Sequence, residues 1–516
     1  MKRTLFALML FALPVFAQEG IGNIYYIGPS HTYKTINAVT GLLVAGDTVY
    51  IDGDATYEIT TTSGLTGTIE LSNHGTSENP ICIIGVTVNG KKPLFKGTVT
   101  TSANLIDVTG NHIVLDNLDI QGNICGGGDP NNFTYRGIRH RGDSLTVRRC
   151  IVRECVQGIL SSDTDAGSLI VEFCEVYGNG IREGHHNLYL TSNSARYPDA
   201  VVTVQFNYIH DAVAGTGLKT RARRNHVLYN VFENNFASCL DIFGPDLLND
   251  SHRTQMQAIN PNYGEDLVRE DADVVGNLFV MDSGKSNNQI MRSGGDGGSG
   301  GTVRSGTSFG RVRLLNNTFV DFTTAKYNGI KLGFGMGSFE MYNNLFFLPS
   351  FKATTPLGII LANPYSENND TDQTTSNLRW LTPDPQYYGL NNFFQTGFTD
   401  NTAVLPTALR NGMITAADPG LVAPKLKGGD FYLKTNSILH NAGTTQTTHT
   451  WTDSIPYSNY NNVKVYDNAF RDPIIYPCYL PVDVEKLKQL TDKSDPWVIT
   501  VRRTETAPSV GAYPAK

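Results

Sequence analysis

The chain has 516 residues, with 41 Lys and Arg against 48 Asp and Glu, and 24 each of Tyr and Phe. Charged residues are only 17% of the total, below the usual quarter, but the apolar and aromatic content is too high for a disordered chain. A net charge of −7 gives no general attraction to nucleic acid or anionic membrane, and the composition is not that of a collagen, a coiled coil or a multispan membrane protein.

Residues 1–17 read as a cleaved signal peptide. Lys2 and Arg3 precede an apolar run from Thr4 to Phe16, and Val15 and Ala17 stand just before a cut at Gln18. The run is too short to span a bilayer, and no later run is long enough. A secreted or periplasmic chain without an integral membrane segment is therefore expected. Tyr33–Leu43 can form a short amphipathic cap helix, and GDTVYI at 46–51 reads as the first strand.

From there a phrase recurs: a short alternating strand, then Asn or Cys, one further residue and an apolar residue. It is centred on Asn117, Cys150, Cys174, Asn207, Asn230, Asn277, Asn317 and Asn344. Successive spacings are 33, 24, 33, 23, 47, 40 and 27 residues, one solenoid turn each with insertions in the longer ones. A second phrase precedes most copies: GIRHR at 137–141, GILSS at 158–162, NLYLT at 187–191, GLKTR at 217–221, CLDIF at 239–243, QIMRS at 289–293 and GIKLG at 329–333. Period-2 strands bounded by Gly, Asn and Asp, recurring at this interval, predict an all-β, right-handed parallel β-helix over 18–365. Stacked Asn amides can hydrogen-bond along such a column. Insertions are expected near 244–272 and 294–303, and a loop-rich part at 366–516 packs on or continues the solenoid.

The seven cysteines contain no CxxC pair. Cys150 and Cys174 share a repeat position, so they are expected as buried neighbours on adjacent turns and as free thiols, because parallel side chains approach poorly for a disulfide.

Several segments resemble the secreted right-handed parallel β-helix proteins of the pectate-lyase-like superfamily. They are GDTVYI, the block from HNLYL at 186 to VFEN at 234, DPGLV at 418–422, DFYLKTNSILHNAG at 430–443 and VGAYP at 510–514. The signatures of the calcium pectate lyases and of the alginate epimerases are absent. The resemblance implies the fold and a polysaccharide ligand, and it names no particular activity.

Alternation places one outward column at Arg139, Leu160, Tyr189, Lys219 and Asp241, and a second at Arg141, Ser162, Thr191, Arg221 and Phe243. Cationic side chains on a solenoid face of an acidic protein point to an acidic polysaccharide as partner. β-Elimination needs a base, an acid and a group that neutralises the uronate carboxylate. Lys219 is the candidate base, Tyr189 the acid and Arg221 the carboxylate clamp. Arg139, Arg141, His186, Asn187, His210 and Asp241 are candidate substrate-binding residues, with His185, His186 and His210 as the next candidates for the base. Ca²⁺ is a candidate cofactor, with Asp241 as its ligand on this face and Asp52, Asp54, Asp163 and Asp165 as further oxygen donors. A C5-epimerase, a glycoside hydrolase and a non-catalytic glycan-binding protein on the same fold remain open, and a monomer is expected.

Overall fold

The computed structural model describes residues 22–60, 68–98, 103–124, 134–244, 250–261, 271–282, 289–294, 310–322, 327–332, 338–350, 357–361, 386–397, 407–446, 449, 479–505 and 507–516. The signal-peptide region, Cys125, Cys478 and most of the two expected insertions lie outside them.

Three parallel sheets run side by side. The chain visits the first, the second and the third in turn and then returns to the first, so each circuit stacks on the last. Among the described residues the first sheet has 12 strands, from Ile24–Ile27 to Gln386–Leu390. The second has 12, from Thr56–Ile59 to Ile414–Ala416, and the third has 10, from Ile69–Leu71 to Leu357–Leu361. The architecture is a right-handed parallel β-helix, the hand that twisted strands with parallel crossovers adopt. Ile138, Leu188, Leu218 and Leu240 face the interior and are fully buried. Among the described residues, no helix is long and apolar enough to cross a membrane.

Two details at the start differ from the sequence reading. The strand Ile24–Ile27 pairs with Thr48–Asp52, so GDTVYI supplies the second strand of its sheet. The cap helix is confined to Asn37–Thr40, since no side chain caps its N-terminus and Gly41 follows its end.

The corner between the first and second sheets explains the repeated Asn. At each corner one residue takes the left-handed conformation, with φ of 52° at Arg149, 53° at Phe173 and Phe206, 58° at Tyr229 and 64° at Gly276. The residue after it turns its side chain inward. There the Asn207, Asn230, Asn277, Asn317 and Asn344 carboxamides stack, and the column continues to Asn392. Each Oδ1 accepts from the backbone N–H and the Nδ2 of the rung before, at 2.8–3.0 Å. Cys174 N–H donates to Asn207 Oδ1 in the same way, and Cys150 N–H lies 3.4 Å from Cys174 Sγ. Both thiols are buried and unbridged. Asn117 is not in this column. Register aligns Leu118 with Cys150, and Asn117 is itself the left-handed corner residue at φ 58°. Asn tolerates that conformation better than most residues, which is why the repeat phrase slips by one there.

Left-handed Arg, Phe and Tyr residues are costly, at roughly 1–2 kcal/mol each. Their outward side chains recover contact. Phe173, Phe206 and Tyr229 stack at 5.2 and 5.0 Å, and Trp497 and Tyr479 of the C-terminal segment pack edge-on against them. Arg149 pairs with the buried Asp116 and donates to the carbonyls of Thr491, Asp492 and Ser494. The C-terminal segment therefore runs along the corners and covers them.

Asn277→Ala removes one acceptor and one donor from a fully buried site and strands the Asn230 backbone N–H. We expect a loss of about 2–4 kcal/mol, measured by denaturant unfolding. An exposed Asn→Ala control such as Asn79→Ala should change stability by less than about 0.5 kcal/mol.

Candidate active site

Pairing of the third sheet fixes which outward residues are neighbours. Arg139, Leu160, Tyr189, Lys219, Asp241, Arg292 and Lys331 occupy consecutive rungs of one row, ~4.8 Å apart. Lys219 and Tyr189 are half-buried at its middle. The Lys219 ammonium is 5.3 Å from the ring centre of Tyr189 and 5.3 Å from that of Phe243. Arg292 and Arg221 address the same Phe243 ring at 4.8 and 5.6 Å. One phenyl ring thus gathers three cations, each of which gains from its negative face.

Asp241 lies inside this cluster and is not open to solvent. Its carboxylate forms a two-point pair with Arg292, at 3.0 and 2.5 Å, and accepts from Thr216 Oγ1 at 2.9 Å and Ser238 Oγ at 2.6 Å. Burial opposes its ionisation, but Arg292 above all outweighs burial and holds the carboxyl at about 2. With its oxygens so engaged, Asp241 does not fit the role of a Ca²⁺ ligand or a sugar-binding group. It anchors Arg292 instead. Among the described residues no group of three or more His, Cys, Asp or Glu side chains is arranged to hold a metal ion. Asp52 and Asp54 pair with His31 and Lys91, and Asp165 lies 3.6 Å from Arg196.

The second expected column is in register but covered. Ser162, Thr191, Arg221 and Phe243 are all buried. Arg221 Nη1 donates to the Gly244 carbonyl at 2.5 Å, so its guanidinium is part of the floor and not an open clamp. Arg292 takes that position, with 23% of its side chain exposed. The sequence phrase missed it by one place: in QIMRS it is Met291 that stands at the offset of Lys219 in GLKTR, whereas strand pairing aligns Met291 with Leu240 and Arg292 with Asp241. Arg141 pairs through two points with the buried Asp107, at 2.9 and 3.1 Å, and Arg139 donates to the Ser161 carbonyl.

His186 borders the row but cannot be a base. The Thr216 backbone N–H donates to its Nδ1 at 3.0 Å, so a neutral ring carries its proton on Nε2 and has no lone pair to offer. Burial, then the positive charge of Lys219, lowers it to about 3. Its ring stands edge-on to Tyr189, with centres 5.4 Å apart. Asn187 is absent from the face altogether. It belongs to a second amide ladder at the corner between the second and third sheets. Asn179 Nδ2 donates to Asn187 Oδ1, and Asn187 Nδ2 donates to the His210 carbonyl and to Asn235 Oδ1. The rung between Asn179 and Asn235 has Ala212 at the ladder position, and Asn187 supplies the missing amide there.

His210 lies on the second sheet, away from the row. It sits between the rings of Tyr177 and Tyr208, with Nδ1 2.8 Å from Asp211 and Nε2 3.2 Å from Glu175. Lys427 and Lys488, both from the C-terminal part, reach the same carboxylates.

No protein-family model matches the chain, and no curated protein matches it. Among solved structures it is similar to a pectate lyase, with 12% identity and a TM-score of 0.41 over 87% of this chain and 98% of that one. It is similar to a lacto-N-biosidase from Eubacterium ramulus, with 13% identity and a TM-score of 0.41 over 72% and 67%. A rhamnogalacturonan lyase gives 13% identity and a TM-score of 0.38 over 65% and 84%. Likenesses of this size concern the course of the chain and carry nothing about substrate or residues.

The buried histidines give opposite pH dependences. Burial works against a charged His210, but Asp211 and then Glu175 raise it above its ordinary 6.5. Its contribution to stability is full below about 6.5 and is lost as pH rises through the raised value. Burial holds His140 at about 4 and His186 at about 3, so their contribution is full above about 6.5 and falls as pH drops. We therefore expect the stability gap between the wild type and His210→Gln to shrink on the alkaline side of about 6.5, in urea midpoints taken from pH 6 to 9, while the acid-side decline persists in both.

Proposed function

We propose that this chain binds an acidic polysaccharide along its third sheet and cleaves it by β-elimination. The observation that carries the proposal is the gathering of Lys219, Arg221 and Arg292 around Phe243, with Tyr189 on the adjoining rung. Three cations with one internally paired carboxylate leave a positive field on an acidic protein. A leader such as residues 1–17 would deliver the chain to where such polymers are met.

In this reading Arg292 neutralises the uronate carboxylate. That makes the C5 proton more acidic, because the developing enolate charge is shared with the same group. Lys219, as the neutral amine that the nearby Arg221 and Arg292 charges favour, takes the proton and becomes an ammonium, and Tyr189 protonates the departing oxygen. Arg221, buried beneath, contributes charge without contact. Asp241 keeps the Arg292 guanidinium fixed, so no reorganisation is needed when charge develops.

Lys219→Ala should lower kcat by about 10²–10⁴-fold with an unchanged circular dichroism spectrum, because this side chain stands outside the core. Tyr189→Phe should lower kcat by about 10²-fold with little change in KM. Arg292→Lys keeps Asp241 paired but loses the two-point fork, so KM should rise and kcat fall together, by about tenfold in kcat/KM. The readout is absorbance of the unsaturated uronate over a panel of acidic polysaccharides. Full activity in Lys219→Ala would move the base elsewhere, and an inert wild type would end the lyase reading.

A further inference from the structure

The face around Lys219 is unevenly charged, and we infer that its substrate carries a uronate joined, on its non-reducing side, to an uncharged sugar, and is not a run of uronates. This inference rests on the elimination reading and adds the substrate class to it. On one side of Lys219, Arg292 lies two rungs on and Lys331 three. On the other side, the next two rungs present Tyr189 and Leu160 in the same row, with Thr191 and Ser162 in the adjacent one. None of those four is charged near neutrality, and His186 beside Tyr189 is held neutral by the Thr216 amide. One rung further, Arg139 does not restore a positive field. Asp107, Asp163 and Asp165 lie around it together with Arg141, which pairs with Asp107, and Arg196, which lies 3.6 Å from Asp165, so charges of both signs balance there, and Glu70 is exposed at the far end of the row.

The direction of the reaction gives this asymmetry its meaning. The C5 proton of the uronate passes to Lys219. The C4–O4 bond breaks with its electron pair on the oxygen, a C4=C5 double bond forms, and the oxygen takes a proton from Tyr189. That oxygen stays with the sugar on the non-reducing side, so this sugar lies toward Tyr189 and Leu160 while the uronate lies toward Arg292. The oxygen is released at the Tyr189 rung, so the leaving sugar covers the uncharged rungs there, which lie ~4.8 Å apart. A carboxylate there would lie over Tyr189 and Leu160 with no cation from either rung of the row to pair with it, which disfavours a homopolymer by missing contacts.

The test compares wild-type protein on two groups of polymers. Polygalacturonate and alginate carry a carboxylate on every sugar. Hyaluronan, unsulfated chondroitin and rhamnogalacturonan backbone alternate a uronate with an uncharged sugar. We expect at least one alternating polymer to be cut with kcat/KM about tenfold or more above either homopolymer. Mass spectrometry should find an unsaturated uronate at the new non-reducing end and an uncharged sugar at the new reducing end. Leu160→Lys, which places a cation in the uncharged stretch, should narrow the ratio between the two groups by about tenfold. A homopolymer cut as fast as the alternating ones would overturn this inference and leave the lyase reading standing. Absence of unsaturated product from every polymer would overturn both.

Discussion

One corner conformation organises the molecule. Each circuit turns from the first sheet to the second through a single left-handed residue, and the next side chain is thereby aimed into the stack. A carboxamide there has one acceptor facing one rung and donors for the other, so it satisfies the backbone N–H that the corner exposes. The arrangement propagates because each amide completes the one before. It also fixes the angle between sheets, so every later strand begins at the same place in its rung.

That regularity builds the cationic face of the third sheet. Residues 21–51 apart in sequence become neighbours, and any two at the same offset on adjacent rungs end ~4.8 Å apart. Lys219, Asp241 and Arg292 meet for no other reason. The strand geometry provides proximity, and local chemistry then separates the roles. Asp241 is drawn under Arg292 and two hydroxyls, and Phe243 offers its ring to the cations around it. Within the row, Asp241 is held by the hydroxyls of Thr216 and Ser238, which stand just before the strands Leu218–Arg221 and Leu240–Phe243.

The C-terminal part protects what the corners leave open. Trp497, Tyr479 and the carbonyls of 491–494 cover the first corner column, while Lys427 and Lys488 close over the His210 cluster on the second sheet. Buried aromatic and ionisable groups are tolerated there because each finds a partner in the covering segment. Solenoids expose long seams, and a trailing segment laid along a seam covers more of it than a cap at one end.

The sequence by itself determined the solenoid and the register of most rungs of its third sheet, because a repeated offset in the chain becomes a repeated position in space, but it set QIMRS one place off, with Met291 where Arg292 stands. It also placed Lys219 beside Tyr189, and Cys150 beside Cys174, through the same rule. It did not separate a corner Asn from a ladder Asn, since both conformations favour the same residue, and so Asn117 stood one place off. Exposure was beyond it as well. Alternation says that Arg221, Asp241 and Asn187 leave the core, but only tertiary structure decides what lies over them. Gly244 covers Arg221, Arg292 covers Asp241, and Asn187 fills the rung where Ala212 lacks an amide. His210 was misplaced for a related reason: its own strand assigns it to the second sheet, and its partners arrive from the far end of the chain. Burial and charge pairing depend on neighbours distant in sequence, and no local pattern encodes them.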